Sequence, residues 1–309
     1  MHSTASSGGE LTPEQLAAAA RKLGLDFIAT TEHNQTETHG LWGRYAGDDL
    51  LVILGQEVVT RGGHWLALGL DPGQVVGWDY DANDEGAVDS CLREVHGADG
   101  LCVAAHPHAP YDFGTLLYSL DEFDLVEVWN GLWSSSRPWN ADNEAALADW
   151  ADSLADAVAR GHWRPAIGNS DIHMADQLLG TPHTVVMAEE LSTRAILTGL
   201  RAGRSWIAES PGIDLSFTAS SGDRSAGIGE RLDTAGEVVD VVLTARSGVP
   251  HGMVGFHTDA GEVHRAVLPD VGSGVVKWRT QADESSFVRV EVRHPHGAMA
   301  ALTNPILLT

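Results

Sequence analysis

Short apolar runs recur along the first two-thirds of the chain, and each breaks off at a residue able to bind a metal. Asp26–Thr31 ends in Glu32-His33, and Leu50–Leu54 runs into Gly55-Gln56-Glu57. Gly100–Ala105 stops at His106-Pro107, and Arg164–Gly168 leads into Asn169-Ser170-Asp171-Ile172-His173. Runs of this length with polar ends read as buried strands. Further strands are expected at 64–70, 125–129, 184–188 and 205–208. Helical patterns fall between them. Thr12 as N-cap, Pro13 at the first helical position and Gln15 at the capping-box position open a helix that Gly24 ends. Others are expected near 86–97, over 142–160 with Leu147, Trp150, Leu154, Ala157 and Val158 on one face, and over 192–202. Strands alternating with helices predict an α/β architecture with a parallel sheet, open or closed.

Pro211-Gly212 marks a change of pattern. Beyond it come alternating short strands with Gly, Asp and Ser turns, clearest at 238–245, 252–258, 264–268, 275–279 and 287–293. This predicts two domains: residues 1–211 as the α/β unit, and 212–309 as a small all-β sandwich.

At 309 residues the chain can bury a large core. No apolar run approaches the roughly 18 residues of a membrane span, and the N-terminus does not read as a signal peptide. The formal charge is −24, from 43 acidic and 19 basic residues. That balance argues against a nucleic-acid partner, whose phosphates demand a positive footprint. The two cysteines, Cys91 and Cys102, read as buried thiols.

One apolar strand ending in a histidine or carboxylate means little; four ending at the same side imply a cluster. The candidate ligands are His2, His33, Glu57, His64, His106, Asp171 and His173. Imidazole mixed with carboxylate suits Zn, Mn or Fe better than Ca or Mg. His108 could be a leaving-group acid or a rim residue. Asn130 could touch substrate or cap a strand, and Glu127 reads as a buried structural carboxylate. Arg137 could receive an anionic group or form a solvated ion pair, and Trp129, Trp133 and Trp139 could pack or line a pocket. Histidines 251, 257, 264, 294 and 296 lack ligand spacing and read as surface.

His2-Ser3, Thr31-Glu32-His33, Gly55-Gln56-Glu57, Gly63-His64, Ala105-His106-Pro107 and Ser170-Asp171-Ile172-His173 resemble, in order, the motifs of the PHP (polymerase and histidinol phosphatase) metal-dependent hydrolases. Within them the chain looks like the CehA/McbA-like branch of carbaryl-type carbamate hydrolases, to which Ala301-Leu302-Thr303-Asn304-Pro305-Ile306 and the added β domain are also similar. The resemblance implies a distorted, seven-stranded, TIM-like βα barrel with ligands at the C-terminal strand ends. It implies that His2, Glu57 and Asp171 hold one divalent transition metal. Glu57 bridges to a second, held with His64 and His106; His33 and His173 belong to a third site. Two departures bear on this. The family opens with His-X-His, and the first of that pair would fall one place before Met1, so a natural start upstream is expected. Ser7 replaces a frequent Asp, so two metals are expected to be tight and a third loose.

The implied chemistry is hydrolysis by a metal-bridging hydroxide, with Asp171 orienting or deprotonating the water. His33 and His173, if not metal-bound, would donate hydrogen bonds to developing charge. The expected substrate is a small-molecule phosphoester. A carboxylic ester, amide or carbamate is the alternative, and a non-catalytic protein with a degenerate site is a third. The expected location is cytoplasmic for the chain as it stands, or secreted if an upstream start carries an export signal.

Overall fold

The computed structural model describes residues 1–84, 86–281 and 284–309. Its first helix, α1 (Pro13–Leu23), forms as the sequence predicts. The Thr12 side chain accepts from the Gln15 amide and the Gln15 side chain accepts from the Thr12 amide, while Gly24 closes the helix at φ 72°. Leu16, Ala17 and Ala20 form its buried face, against Ile28, Val52 and Trp42.

Six strands follow: β1 (Phe27–Thr30), β2 (Leu51–Thr60), β3 (Gly63–Leu68), β4 (Leu101–Ala104), β5 (Leu125–Asn130) and β6 (Ala166–Asn169). They form one sheet in sequence order. Helices α2 (His39–Trp42), α3 (Ala87–Gly97) and α4 (Asn143–Ala159) intervene. α4 starts where the Asp142 side chain accepts from the Ala145 amide. It buries Leu147, Trp150, Leu154 and Val158 against Val126 and Val128 of β5.

The sheet corrects two expectations. It is mixed rather than parallel, because β3 runs antiparallel to both β2 and β4. The tight β2–β3 connection at Arg61-Gly62 allows only a hairpin, whereas a parallel neighbour needs a long crossover. Nor does the pairing close into a barrel: β1 and β6 are the ends of a curled, half-barrel sheet. β7 (His183–Val186), α5 (Thr193–Arg201) and β8 (Ser205–Ala208) come next, and β7 pairs with β8. Where a closed barrel fills its interior with side chains, a cavity of about 600 Å³ remains here. It is lined by Phe27 and Ala29 of β1, Thr184 and Val186 of β7, and Ile196 and Leu200 of α5. At one end the Thr31 amide donates to Met1 O (3.2 Å) and the His2 amide to Ile172 O (3.0 Å), so Met1-His2 lies extended between two neighbours.

Residues 212–309 are all-β among the described residues. They comprise β9 (Asp214–Ser221), β10 (Arg224–Gly227), β11 (Arg231–Leu232), β12 (Val238–Ser247), β13 (Met253–Thr258), β14 (Gly261–Val267), β15 (Gly274–Gln281), β16 (Phe287–Arg293), β17 (Met299–Thr303) and β18 (Ile306–Leu308). One sheet has the order β10-β9-β12-β15, and the other carries β16 and β17. Phe217, Val241 and Leu243 of the first pack on Val254, Phe256 and Val290 of the second. Strand pairing crosses residue 211: β17 is antiparallel to β8, with Leu302 opposite Ile207, so the second sheet continues into β8 and β7. Among the described residues, no helix is long and apolar enough to cross a membrane.

Asn304, at the corner between β17 and β18, locks the two parts together. Its Oδ1 accepts from the Ala166 amide (2.8 Å), and its Nδ2 donates to Ala166 O (3.1 Å), Ser205 O (3.0 Å) and Ser205 Oγ (3.0 Å). It therefore satisfies the Ala166 end of the outer edge of β6, which no strand pairs among the described residues; Thr184 Oγ1 serves Gly168 further along. Asn304→Ala strips buried backbone groups of their partners and should cost about 2–4 kcal/mol. Urea denaturation reads this directly, and a loss under about 1 kcal/mol would show that water replaces the amide.

Candidate metal centre

Glu57 sits where β2 changes partner: residues 51–54 pair with β1, and residues 55–60 pair with β3. Val59 opposes His64 and Glu57 opposes Leu66, so the period of two puts Glu57 and His64 on one face. His33 extends the ladder of β1 by a bridge to Glu57. His106 follows β4 and Asp171 follows β6, and both take positive φ, 25° and 42°. Such backbone costs about 1–3 kcal/mol per residue and persists only where the surroundings enforce it. Here the His106 amide donates to Glu127 Oε2 (2.9 Å) and the Asp171 amide to Asn169 Oδ1 (3.0 Å).

These elements bring all seven candidate ligands together. Glu57 Oε1 is 2.7 Å from His64 Nδ1 and 3.3 Å from His106 Nε2. Glu57 Oε2 is 3.0 Å from His2 Nε2 and 3.8 Å from His33 Nε2. His2 Nε2 is also 3.0 Å from Asp171 Oδ1. Ligand atoms of Glu57, His64 and His106 lie within 4.8 Å of one another, as do those of His2, Glu57 and Asp171, and those of His2, His33 and His173. His2, Glu57, His64 and His106 are buried, while His33, Asp171 and His173 are partly covered. His173 stacks on His2 with ring centroids 4.0 Å apart.

The donor set fits divalent cations. Burial opposes charge on His2 and His106, yet neighbouring carboxylates prevail in both. Asp171 and Glu57 raise His2, and Glu57 above all pushes His106 up to about 9. Burial likewise opposes charge on Glu57 and Asp171; the imidazoles hold Glu57 well below the carboxylate range, and His2 lowers Asp171. The cluster thus demands positive charge, and metal ions compete with protons for the same lone pairs. Burial dominates at His33, which is lowered to about 4, and at His173, which is also lowered, so both are neutral imidazoles near pH 7.

Supporting contacts fix the rings. Ser6 Oγ lies 3.3 Å from His2 Nδ1 and accepts from the His33 amide (2.8 Å); Ser7 Oγ lies 3.3 Å from His33 Nδ1. Glu32 accepts from the amide and hydroxyl of Ser3, holding the N-terminal segment in place. Asn130 donates to Glu127 Oε1 (3.0 Å) and Asp171 Oδ2 (3.2 Å), so it orients a candidate ligand as well as closing a strand. Glu127 is buried as expected, and burial pushes its carboxyl up to about 7. Ser6 and Tyr111 carried no sequence signal: a lone Ser or Tyr near a histidine matches no motif, and only the fold turns each toward its ring.

His108 is not among the grouped ligand residues, and of its two expected readings, leaving-group acid and rim residue, its contact fits the rim. Its Nε2 pairs with Asp149 Oδ2 (2.7 Å) on α4, pulling the ring toward the helix. Beside the cluster opens a pocket of about 430 Å³ whose lining includes Tyr111, Leu132, Trp139, Met174 and Leu178. Arg137 is its one Lys or Arg among the described residues; it pairs with Asp176 (2.9 Å) and lies over Trp139 (5.8 Å). Elsewhere His96, Cys102 and Asp124 also meet. There Asp124 Oδ2 already serves the Cys102 amide (2.7 Å) and His96 (2.8 Å), tying the end of α3 to β4.

No protein-family model matches the chain. No curated protein matches it either. Among solved structures, it is similar to a chain from Bifidobacterium adolescentis with the provisional name metal-dependent phosphoesterase. That match has 20% identity and a TM-score of 0.41, and covers 64% of this chain and 93% of the other. It is also similar to an amidohydrolase from Chromobacterium violaceum with bound sulfate and no metal, at 18% identity and a TM-score of 0.38, covering 58% of this chain and 88% of that one. The fold and the cluster together define a mixed α/β protein with a candidate centre for metal ions.

Proposed function

We propose that this chain is a metal-dependent hydrolase of the PHP type, with two divalent transition metals sharing Glu57. One observation carries the reading: each carboxylate oxygen of Glu57 faces a different set of imidazoles. His2 and Asp171 would complete one site, and His64 and His106 the other. His33 and His173, which approach His2, would hold a third ion weakly. Bound there, the ions would supply a water of near-neutral pKa and a Lewis acid for the scissile carbonyl or phosphoryl oxygen. Asp171, partly exposed and steadied by Asn130, orients the attacking water and accepts its proton. Where no third ion is bound, neutral His33 can offer a ring N–H to the substrate, whereas the one N–H of neutral His173 is taken by Asp171 O (3.0 Å).

Phosphoesters are the first substrate class, supported by the motif resemblance. A second reading, hydrolysis of a carboxylic ester, amide or carbamate, is favoured by the apolar pocket and by Arg137 being engaged with Asp176. Aryl phosphate monoesters, phosphodiesters, aryl esters and aryl carbamates, assayed in parallel with added Mn or Zn, separate the two. Turnover in one class is expected. A metal-loaded protein inert toward all four classes would overturn the hydrolase reading.

A further inference from the structure

The loop after His106 carries a phenol to the cluster that no ligand set uses. The Tyr111 hydroxyl lies 3.4 Å from His106 Nε2, the nitrogen that faces Glu57. Its ring centroid is 5.9 Å from that of His64 and 6.0 Å from that of His106. The loop is built to hold it there. The Ala109 amide bonds to His106 O, the Gly114 amide to Tyr111 O and the Leu116 amide to Pro107 O. Thr115 Oγ1 donates to Ala109 O (2.8 Å). Phe113 turns the chain at φ 63°. Gly114 leaves room for the ring, since a Cβ there would fall 2.4 Å from Tyr111 Cε2.

Of the pocket's other polar groups, Asn130 is shared between Glu127 and Asp171, and Arg137 is paired with Asp176. A phenol keeps its proton at neutral pH and donates one hydrogen bond. A donor preset where charge develops stabilises the transition state more than the ground state.

We propose that Tyr111 is a catalytic residue that donates its phenolic hydrogen to the carbonyl or phosphoryl oxygen of the substrate as negative charge builds on it. The role rests on the hydrolase reading and places the donor on the His64–His106 side of the cluster. Gly114 is the positioning residue behind it.

The test compares Tyr111→Phe and Gly114→Ala with the wild type in four readouts: bound metal, melting temperature, affinity for inorganic phosphate by calorimetry, and steady-state kinetics. Tyr111→Phe should keep metal content and melting temperature. It should weaken phosphate binding about tenfold and lower kcat by about 10²–10³-fold. Gly114→Ala keeps the hydroxyl but displaces the ring, so it should lower kcat without loss of metal. Unchanged kcat and phosphate affinity in Tyr111→Phe would reduce the ring to a pocket wall, and loss of metal would make it a ligand instead. Either result overturns the proposal. If the wild type hydrolyses nothing yet Tyr111→Phe still weakens phosphate binding, the hydrolase reading fails while the donor stands.

Discussion

If two ions share Glu57 as proposed, Glu57→Gln should release both at once. The wild-type chain, purified after Mn or Zn supplementation, should carry close to two ions, and the variant fewer than half an ion. Turnover should fall by about four orders of magnitude or more, the scale seen when a group acting as a unit with others is removed. The substitution preserves shape, because Gln is nearly isosteric. It removes the charge that both oxygens bring to the cluster, and puts an N–H donor where a lone pair is needed. Single-site controls sharpen the result: His64→Ala and His2→Ala should each empty one site and leave the other partly filled. Elemental analysis of the purified variants gives the count. A Glu57→Gln protein with its full metal complement would show that the carboxylate is not shared. In the metal-free protein the same change removes the main support for His106 at about 9. That imidazole should then titrate at lower pH, which NMR of its ring protons can follow.

The largest stability effect is expected at Glu291, far from the cluster. Its Oε1 accepts from Arg289 Nη1 (2.8 Å) and its Oε2 from Arg293 Nε (2.9 Å), with His257 Nε2 3.5 Å away. Arg289 is buried and lies over Trp150 of α4 at 5.3 Å. Arg293 reaches Glu144 of α4 (2.6 Å) and lies over Trp133 at 5.3 Å. The acid therefore neutralises two cations that seat the C-terminal sheet on α4. Glu291→Ala leaves Arg289 buried without its counter-charge, which costs about 3–5 kcal/mol. Burial alone would raise the Glu291 pKa, but Arg289, His257 and Arg293 outweigh it and hold it at about 2, against 4.5 for the ordinary group. A depressed carboxyl stabilises the fold fully above its unfolded pKa and loses that contribution as pH falls through the folded one. The wild type should thus lose stability between about pH 4.5 and pH 2, and the variant should show a flatter slope there. Urea melts across that range test both statements, and a variant within about 1 kcal/mol of wild type at neutral pH would refute the first.

Local chemistry was legible wherever a residue's neighbours in space are also its neighbours in sequence. The Thr12–Gln15 capping box, the Gly24 stop and the buried face of α4 needed nothing beyond a few adjacent side chains. Strand ends were equally plain, because an apolar run stopping at an imidazole or carboxylate is visible in the sequence; His33, Glu57, His106, Asp171 and His173 are found that way, whereas His2 and His64 end no such run. Strand direction was not legible. β3 looks like any buried strand, and only the short turn at Arg61-Gly62 makes it antiparallel. His108 stood two residues from a candidate ligand and could be read either way, since its orientation depends on Asp149 from a helix about forty residues on. β9, β17 and β18 went unrecognised as individual strands: their neighbours decide their pairing, as when β17 pairs with β8.

By itself the amino-acid sequence determined most helices and strands of the first 211 residues, which residues are chemically able to grip a cation, and a net charge of −24. Those properties follow from side-chain polarity, period and charge, all of them local. Only the tertiary structure decided that the sheet stays an open half-barrel, that Glu57 turns one oxygen to each side, and that Asn304 and Glu291 weld the two parts together. Each of these depends on groups brought within about 3 Å of one another, the range at which hydrogen bonds and ion pairs act, and chain order does not encode such meetings.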